Sequence, residues 1–188
     1  GTDATMLAAL PAPLNARANY SRPAPNMYAL ENTQFVMTYT ESELLKAEAI
    51  ERGWVTGTAK TAYDNALKAG IKQINSYGGT LTDADAAAYL AANPYPATGT
   101  LDAKMDAIHT EFWMSTASLL QHIESWANWR RTGYPKLTPV NYPGNETNGQ
   151  IPRRLRYSQG EYGVNPGIDA ANARQGADLF TTRVWWDK

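Results

Sequence analysis

Few residues of this chain have the types and spacing to do chemistry. His109 and His122 are its only histidines. A metal site built on them would need an H-E-x-x-H arrangement or carboxylates at ligand spacing. Neither occurs, so both read as ordinary polar or partly buried side chains. Glu111 and Glu124 could act as the acid and base of a glycosidase, whose two carboxyl groups stand roughly 5–10 Å apart. Their spacing gives this no support, and helix capping or ion pairing to Arg130 or Arg131 accounts for them better. No nucleophile elbow, phosphate-binding loop or dinucleotide glycine fingerprint is present. The chain has no cysteine, which excludes disulfides, thiolate catalysis and cysteine-based zinc sites. The expectation is no catalytic residue, no metal and no cofactor.

Aromatic rings are the stronger signal, with six tryptophans and eleven tyrosines in 188 residues. A planar ring stacks on the C–H face of a sugar while neighbouring Asn, Arg or Asp groups hold the hydroxyls. Tyr20 and Tyr28 lie in a proline-broken loop among Asn19, Arg22 and Asn26. Tyr20, Arg22 and Tyr28 are therefore the candidate sugar contacts. Phe112, Trp126 and Trp129 stand at helical spacing and are assigned to core packing. Trp185 and Trp186 read as anchors of the C-terminal tail. Asn145-Glu146-Thr147 matches a glycosylation acceptor, which matters only in a eukaryotic secretory pathway.

The net charge of −1 leaves no electrostatic footprint for nucleic acid. The basic clusters Arg130–Arg131 and Arg153–Arg156 are expected to pair with carboxylates or helix ends. No apolar run approaches the roughly 20 residues that span a bilayer.

The elements that would position these groups are mostly helices. Residues 1–37 read as coil, 38–134 as a helical scaffold and 135–188 as an irregular tail, all within one domain. Thr40 with Glu43 suggests a capping box opening the first helix, which ends at Gly53. A second helix follows Gly57-Thr58, with Ala59, Tyr63, Ala66, Gly70 and Ile74 on one face, and stops at Gly78-Gly79. The small residues Ala62, Ala66, Ala69 and Gly70 allow close approach of the two backbones. The pair resembles one helix pair of a tetratricopeptide-like repeat, which cannot bury its own face unaided. Thr82 with Asp85 caps a third helix that stops at Asn93-Pro94. Thr100 caps a fourth, with Leu101, Met105, Ile108 and Phe112 as its buried face. Residues 115–118 suggest a break, after which Leu119, Ile123, Trp126 and Arg130 mark a last helix. Arg130 and Arg131 suit its final turn, Gly133 its left-handed cap, and Pro135 bars continuation. In the tail, only a short helix at Gly167–Gln175 and a brief strand or wedge at Val184-Trp185-Trp186 are expected.

Several segments, taken together and in order, carry a resemblance. They are Thr38-Tyr39-Thr40-Glu41-Ser42-Glu43-Leu44-Leu45, then Trp126-Ala127-Asn128-Trp129-Arg130-Arg131-Thr132-Gly133-Tyr134-Pro135, then Ile151-Pro152-Arg153-Arg154-Leu155-Arg156-Tyr157. Gln159-Gly160-Glu161-Tyr162, Asn165-Pro166 and a closing Val184-Trp185-Trp186-Asp187 complete the set. From about Tyr20 onward the chain resembles the C-terminal portion of SusD/RagB-type outer-membrane nutrient-binding lipoproteins, in their SusD-like branch. The resemblance implies a mostly α fold of tetratricopeptide-like helix pairs with long coil segments and a loop-rich tail. It also implies a lipid-anchored protein exposed on the Bacteroidetes cell surface, with the anchor outside this chain and the fragment itself soluble. Such a protein captures glycans, or sometimes peptides, for a TonB-dependent (SusC-like) transporter and is not an enzyme. The rival expectation is a helical module that binds a partner protein or peptide rather than sugar.

Overall fold

The computed structural model describes residues 8–12, 15–16, 20 and 22–187. Six α-helices, three short 3-10 turns and no strand lie among the described residues. The helices are α1 (Tyr39–Glu51), α2 (Ala59–Gln73), α3 (Asp83–Ala92), α4 (Leu101–Ser118), α5 (His122–Thr132) and α6 (Ile168–Gln175). The expected mostly α, loop-rich class is what the chain adopts. It divides into two compact units, a helical unit of Pro23–Leu137 and a loop-rich unit of Gly1–Arg22 with Thr138–Lys188.

In the helical unit α1 and α2 form an αα-hairpin. α1 also packs on α4, α2 on α3, and α4 on α5. Thr38, two residues before the expected cap, opens α1: its hydroxyl accepts the Glu41 amide at 3.1 Å while Glu41 Oε1 accepts the Thr38 amide at 3.2 Å. The run Thr38-Tyr39-Thr40-Glu41-Ser42-Glu43 contains two T-x-x-E boxes, and the earlier one wins because it adds helical residues. Thr40 is thereby freed for packing, and its hydroxyl donates to the Ala66 carbonyl at 3.3 Å. At the far end Gly53, at φ +72°, lets the Trp54 amide reach the Ala49 carbonyl and the Gly53 amide the Ile50 carbonyl, a Schellman closure.

Leu44, Ala47, Ala62, Tyr63, Ala66, Leu67, Met105, Ile108 and Phe112 form one buried cluster. The small residues of α2 do admit α1 closely, since a methyl placed on Gly70 would lie 3.1 Å from Thr40 Cγ2. Leu101 departs from its expected role: it is the first residue of α4 and half exposed, and the buried face begins one turn later at Met105. The expected break at 115–118 also moves. The Ser115 and Thr116 hydroxyls donate back to the Phe112 carbonyl at 3.0 and 2.7 Å, so those residues stay helical. The chain turns at Leu120, at φ +63°.

The loop-rich unit holds α6 and is organised by buried carboxylates. Asp178 accepts the Tyr157 amide at 3.2 Å and the Tyr162 hydroxyl at 2.7 Å, and pairs with Arg154 at 3.1 Å. Asp187 pairs with Arg153 at 3.2 Å and Arg183 at 3.1 Å. The basic cluster 153–156 thus meets carboxylates as expected. The tryptophans assigned to anchoring the tail do less of it than Asp187, which is buried while Trp185 is 83% exposed. Residues 184–186 form a turn and not a strand.

Candidate functional site

The segment Glu124–Pro135, densest in aromatic and basic side chains, is bound up in structure. Arg131 forks onto Glu48 of α1, with Nη1 2.8 Å from Oε1 and Nη2 2.6 Å from Oε2. Arg131 Nη2 also donates to Asn128 Oδ1 at 2.9 Å, which turns the Asn128 amide nitrogen toward His109 Nδ1 at 3.2 Å. With Nδ1 accepting, the ring proton sits on Nε2, which faces Glu48 Oε2 across 3.5 Å without forming a hydrogen bond. Burial opposes charge on Glu48, but the Arg131 guanidinium and the His109 N–H that faces it outweigh that cost and hold the carboxyl well below its usual range. Tyr134 stacks on His109 with ring centroids 6.1 Å apart. Trp126 lies under the Arg130 guanidinium at 3.9 Å, and Trp129 Nε1 donates to the Pro135 carbonyl at 3.2 Å. Trp126 and Trp129 are only half buried and stand outside the core cluster, unlike Phe112. His109 and Glu48 are sealed from solvent and only the Arg131 side chain of the group reaches it, so these contacts hold helices together.

Nor do Glu111 and Glu124 form an acid–base pair. Glu111 is buried in mid-α4 and accepts the Tyr89 hydroxyl at 3.0 Å; burial pushes its carboxyl up, partly offset by that bond. Glu124 is exposed, and its charge bears on Glu41. Of the partners expected for them, Arg130 and Arg131, the second is taken by Glu48. Among the described residues no three His, Cys, Asp or Glu side chains group as a metal site would require.

The candidate contacts fall in both units. Tyr20 and Arg22 belong to the loop-rich unit and are exposed. Asn19, counted with them in the sequence, lies outside the described residues. Tyr28 belongs to the helical unit and is 64% exposed at the end of the turn Pro25–Met27. That turn is tied down: Asn26 Nδ2 donates to the Tyr77 carbonyl, and Asn32 Nδ2 to the Asn26 carbonyl at 2.6 Å. Tyr77 in turn meets Phe35 edge-on at 6.0 Å, and Gln121 Nε2 donates to the Phe35 carbonyl at 3.0 Å. Asn26 therefore serves as a pin for the loop, leaving Tyr28 as an exposed ring on a fixed support. Trp54, which follows the helix stop at Gly53, is 67% exposed with the Arg52 guanidinium 5.4 Å from its ring. Its signal was Gly53, whose left-handed turn projects the next residue.

The described residues include a groove and a cleft. A groove of about 160 Å³ in the helical unit is lined by Leu67, Ile71, Ile74, Tyr89, Glu111 and Met114, and is almost wholly apolar. A cleft of about 400 Å³ in the loop-rich unit is lined by Tyr142, Asn145, Glu146, Thr147, Gln150 and Phe180, with Pro139 and Val140 at its edge. Nothing periodic in the sequence marks this second cleft.

Residues 7–158 match a family model described as SusD-like, starch-binding and associating with the outer membrane. No curated protein matches the chain. Among solved structures, a chitin-binding protein is 38% identical with a TM-score of 0.70, over 80% of this chain and 33% of its own. A SusD-like protein of Bacteroidetes AC2a is 33% identical with a TM-score of 0.74, over 88% of this chain and 32% of its own. A SusD homologue from Bacteroides fragilis NCTC 9343 is 27% identical with a TM-score of 0.66, over 84% and 36%. The chain therefore spans about a third of the length of the solved relatives it matches.

Proposed function

We propose, from the premise that this chain belongs to the SusD-like family, that it is part of a non-enzymatic outer-membrane protein that captures glycans at the cell surface. The observation that carries the reading is the family match over residues 7–158, whose description names starch binding and the outer membrane. The similarity to a chitin-binding protein supports a glycan ligand. In the same reading a TonB-dependent, SusC-like transporter is the partner that takes the glycan inward, and a lipid outside this chain supplies the anchor. An exposed ring on a supported loop, as at Tyr28, suits the task, because a ring already held in place loses little freedom when a sugar stacks on it. Tyr20, Arg22 and Tyr28 are the residues proposed to touch the glycan.

Calorimetric titration with malto- and chito-oligosaccharides tests this. Binding that weakens in Tyr20→Ala, Arg22→Ala or Tyr28→Ala supports the reading. A protein that takes up no saccharide and instead binds a peptide or partner protein refutes it. Incubation with polysaccharide is expected to release no product, and affinity capture of the full-length protein from membranes is expected to bring down a TonB-dependent transporter.

A further inference from the structure

We propose that the Tyr142–Phe180 cleft of the loop-rich unit is a second sugar subsite, one that takes a single neutral hexose-sized ring. The inference rests on the glycan reading above but assigns the contact to residues outside the aromatic loop of Tyr20, Arg22 and Tyr28. At about 400 Å³ the cleft falls within the roughly 300–1,000 Å³ of small-molecule sites. It joins aromatic and amide side chains, which is the combination a sugar needs.

The polar side of the cleft is held ready. The Thr147 hydroxyl, which is buried, shares its one proton between two acceptors, the Gln150 carbonyl at 2.6 Å and Asn145 Oδ1 at 2.8 Å. The Thr147 amide donates to the same Asn145 oxygen at 3.0 Å. These bonds fix the Asn145 amide plane and leave its Nδ2 with no partner among the described residues. The Gln150 side-chain amide has none either. Both groups therefore keep donors for ring hydroxyls, and Gln150 keeps an acceptor.

Charge decides the class of ligand. Glu146 is paired by Arg156 at 3.1 Å, and the same guanidinium stands 5.7 Å from the Phe180 ring. The lining thus presents one carboxylate already paired from outside the cleft, two amides and two rings. That set recognises an uncharged polyol; a phosphate or an ammonium would find no net countercharge.

The test uses the whole chain, with malto- and chito-oligosaccharides as probes, read by calorimetry and by ¹⁵N-resolved NMR of side-chain amides. Saccharide is expected to shift the Asn145 and Gln150 amide resonances, and Tyr142→Ala is expected to weaken binding about tenfold. Gln150→Ala is expected to weaken it by a smaller factor. Both residues are exposed, so neither variant threatens folding. If the wild type binds saccharide, both variants keep its affinity and the two amides stay still, the subsite is refuted while the glycan reading stands. If the wild type binds no saccharide at all, the glycan reading fails and the subsite fails with it.

Discussion

Arg131 and Glu48, 83 residues apart, make a two-point contact of 2.8 and 2.6 Å that ties the last helix of the helical unit to its first. The carboxylate is buried and takes a further bond from Arg52 Nε at 2.7 Å. A charge in that position is tolerable only while its partners remain. The run of tryptophans and arginines at residues 126–135 therefore has a mechanical meaning. Asn128 and Arg131 grip α1 and α4, while Tyr134 covers His109.

Glu48→Ala is expected to cost about 3 kcal/mol, the low end for a buried pair because water still reaches the Arg131 side chain. Arg131→Ala leaves the carboxylate buried without its fork and is expected to cost a similar amount. The double variant is expected to cost well under the sum, since each single change already breaks the same contact. Urea denaturation of the four proteins measures this; strict additivity would show that the fork contributes nothing as a unit.

Acid is expected to act through the same carboxylate. Its folded pKa lies below its ordinary value near 4.5, because the facing His109 N–H and the Arg131 fork overcome the penalty of burial. The stabilisation is thus fully present above the unfolded pKa and lost as pH falls through the folded one. The urea midpoint is expected to drop from about pH 5 downward, and Glu48→Gln is expected to flatten that drop. An equally steep profile in the variant would assign acid lability to other carboxylates.

Glu111 runs in the opposite sense. Burial raises its pKa, with the Tyr89 bond only partly opposing. Its contribution is present below the unfolded pKa and lost as pH rises through the folded one, so the charged form at neutral pH is a burden. Glu111→Gln keeps an acceptor for the Tyr89 hydroxyl and removes the charge. Its Tm at pH 7 is expected to rise by roughly 2 °C, and the gain is expected to vanish near pH 4.

What could be read from the chain follows the range of the forces involved. Helix ends are local, and Thr82 with Asp85, Thr100, Gly78 and Gly133 all cap where their types suggest. The box at Thr38 was ambiguous for the same local reason, since two boxes overlap and only the energy of the extended helix separates them. The last helix, α5, was legible but its inward face was not, because its buried positions are polar: Ser125 and Asn128 face inward while Ile123 is exposed. A hydrophobic stripe cannot reveal a helix docked through hydrogen bonds. Glu48 could not be matched to Arg131, nor Asp187 to Arg153, because such pairings are set by the fold. Exposure of Tyr28 followed from its loop, but the cleft formed by Tyr142, Gln150 and Phe180 joins residues that share no period.

Thr38→Ala is expected to cost about 1 kcal/mol, the loss of an N-cap, and Thr38→Ser is expected to cost little because the hydroxyl still reaches the Glu41 amide. Denaturant midpoints of the two variants test which threonine starts α1. A neutral Thr38→Ala would return the cap to Thr40.

The close approach of α1 and α2 allows a sharper test, because it predicts a change of sign. Alanine at position 70 would favour the helix by up to about 1 kcal/mol over glycine. In the native chain its methyl would sit 3.1 Å from Thr40 Cγ2 and 3.3 Å from Thr40 Oγ1. Thr40 is β-branched and its hydroxyl is bonded to the Ala66 carbonyl, so it gives way poorly. Gly70→Ala alone is therefore expected to be destabilising by about 1 kcal/mol, and Gly70→Val by more. Thr40→Ala removes both crowding atoms, leaving Thr40 Cβ at 3.8 Å as the nearest of the contacts. In that background Gly70→Ala is expected to stabilise. Thermal melts of the two single variants and the double variant give the coupling, and equal effects of Gly70→Ala in both backgrounds would show that the helices are not in contact there.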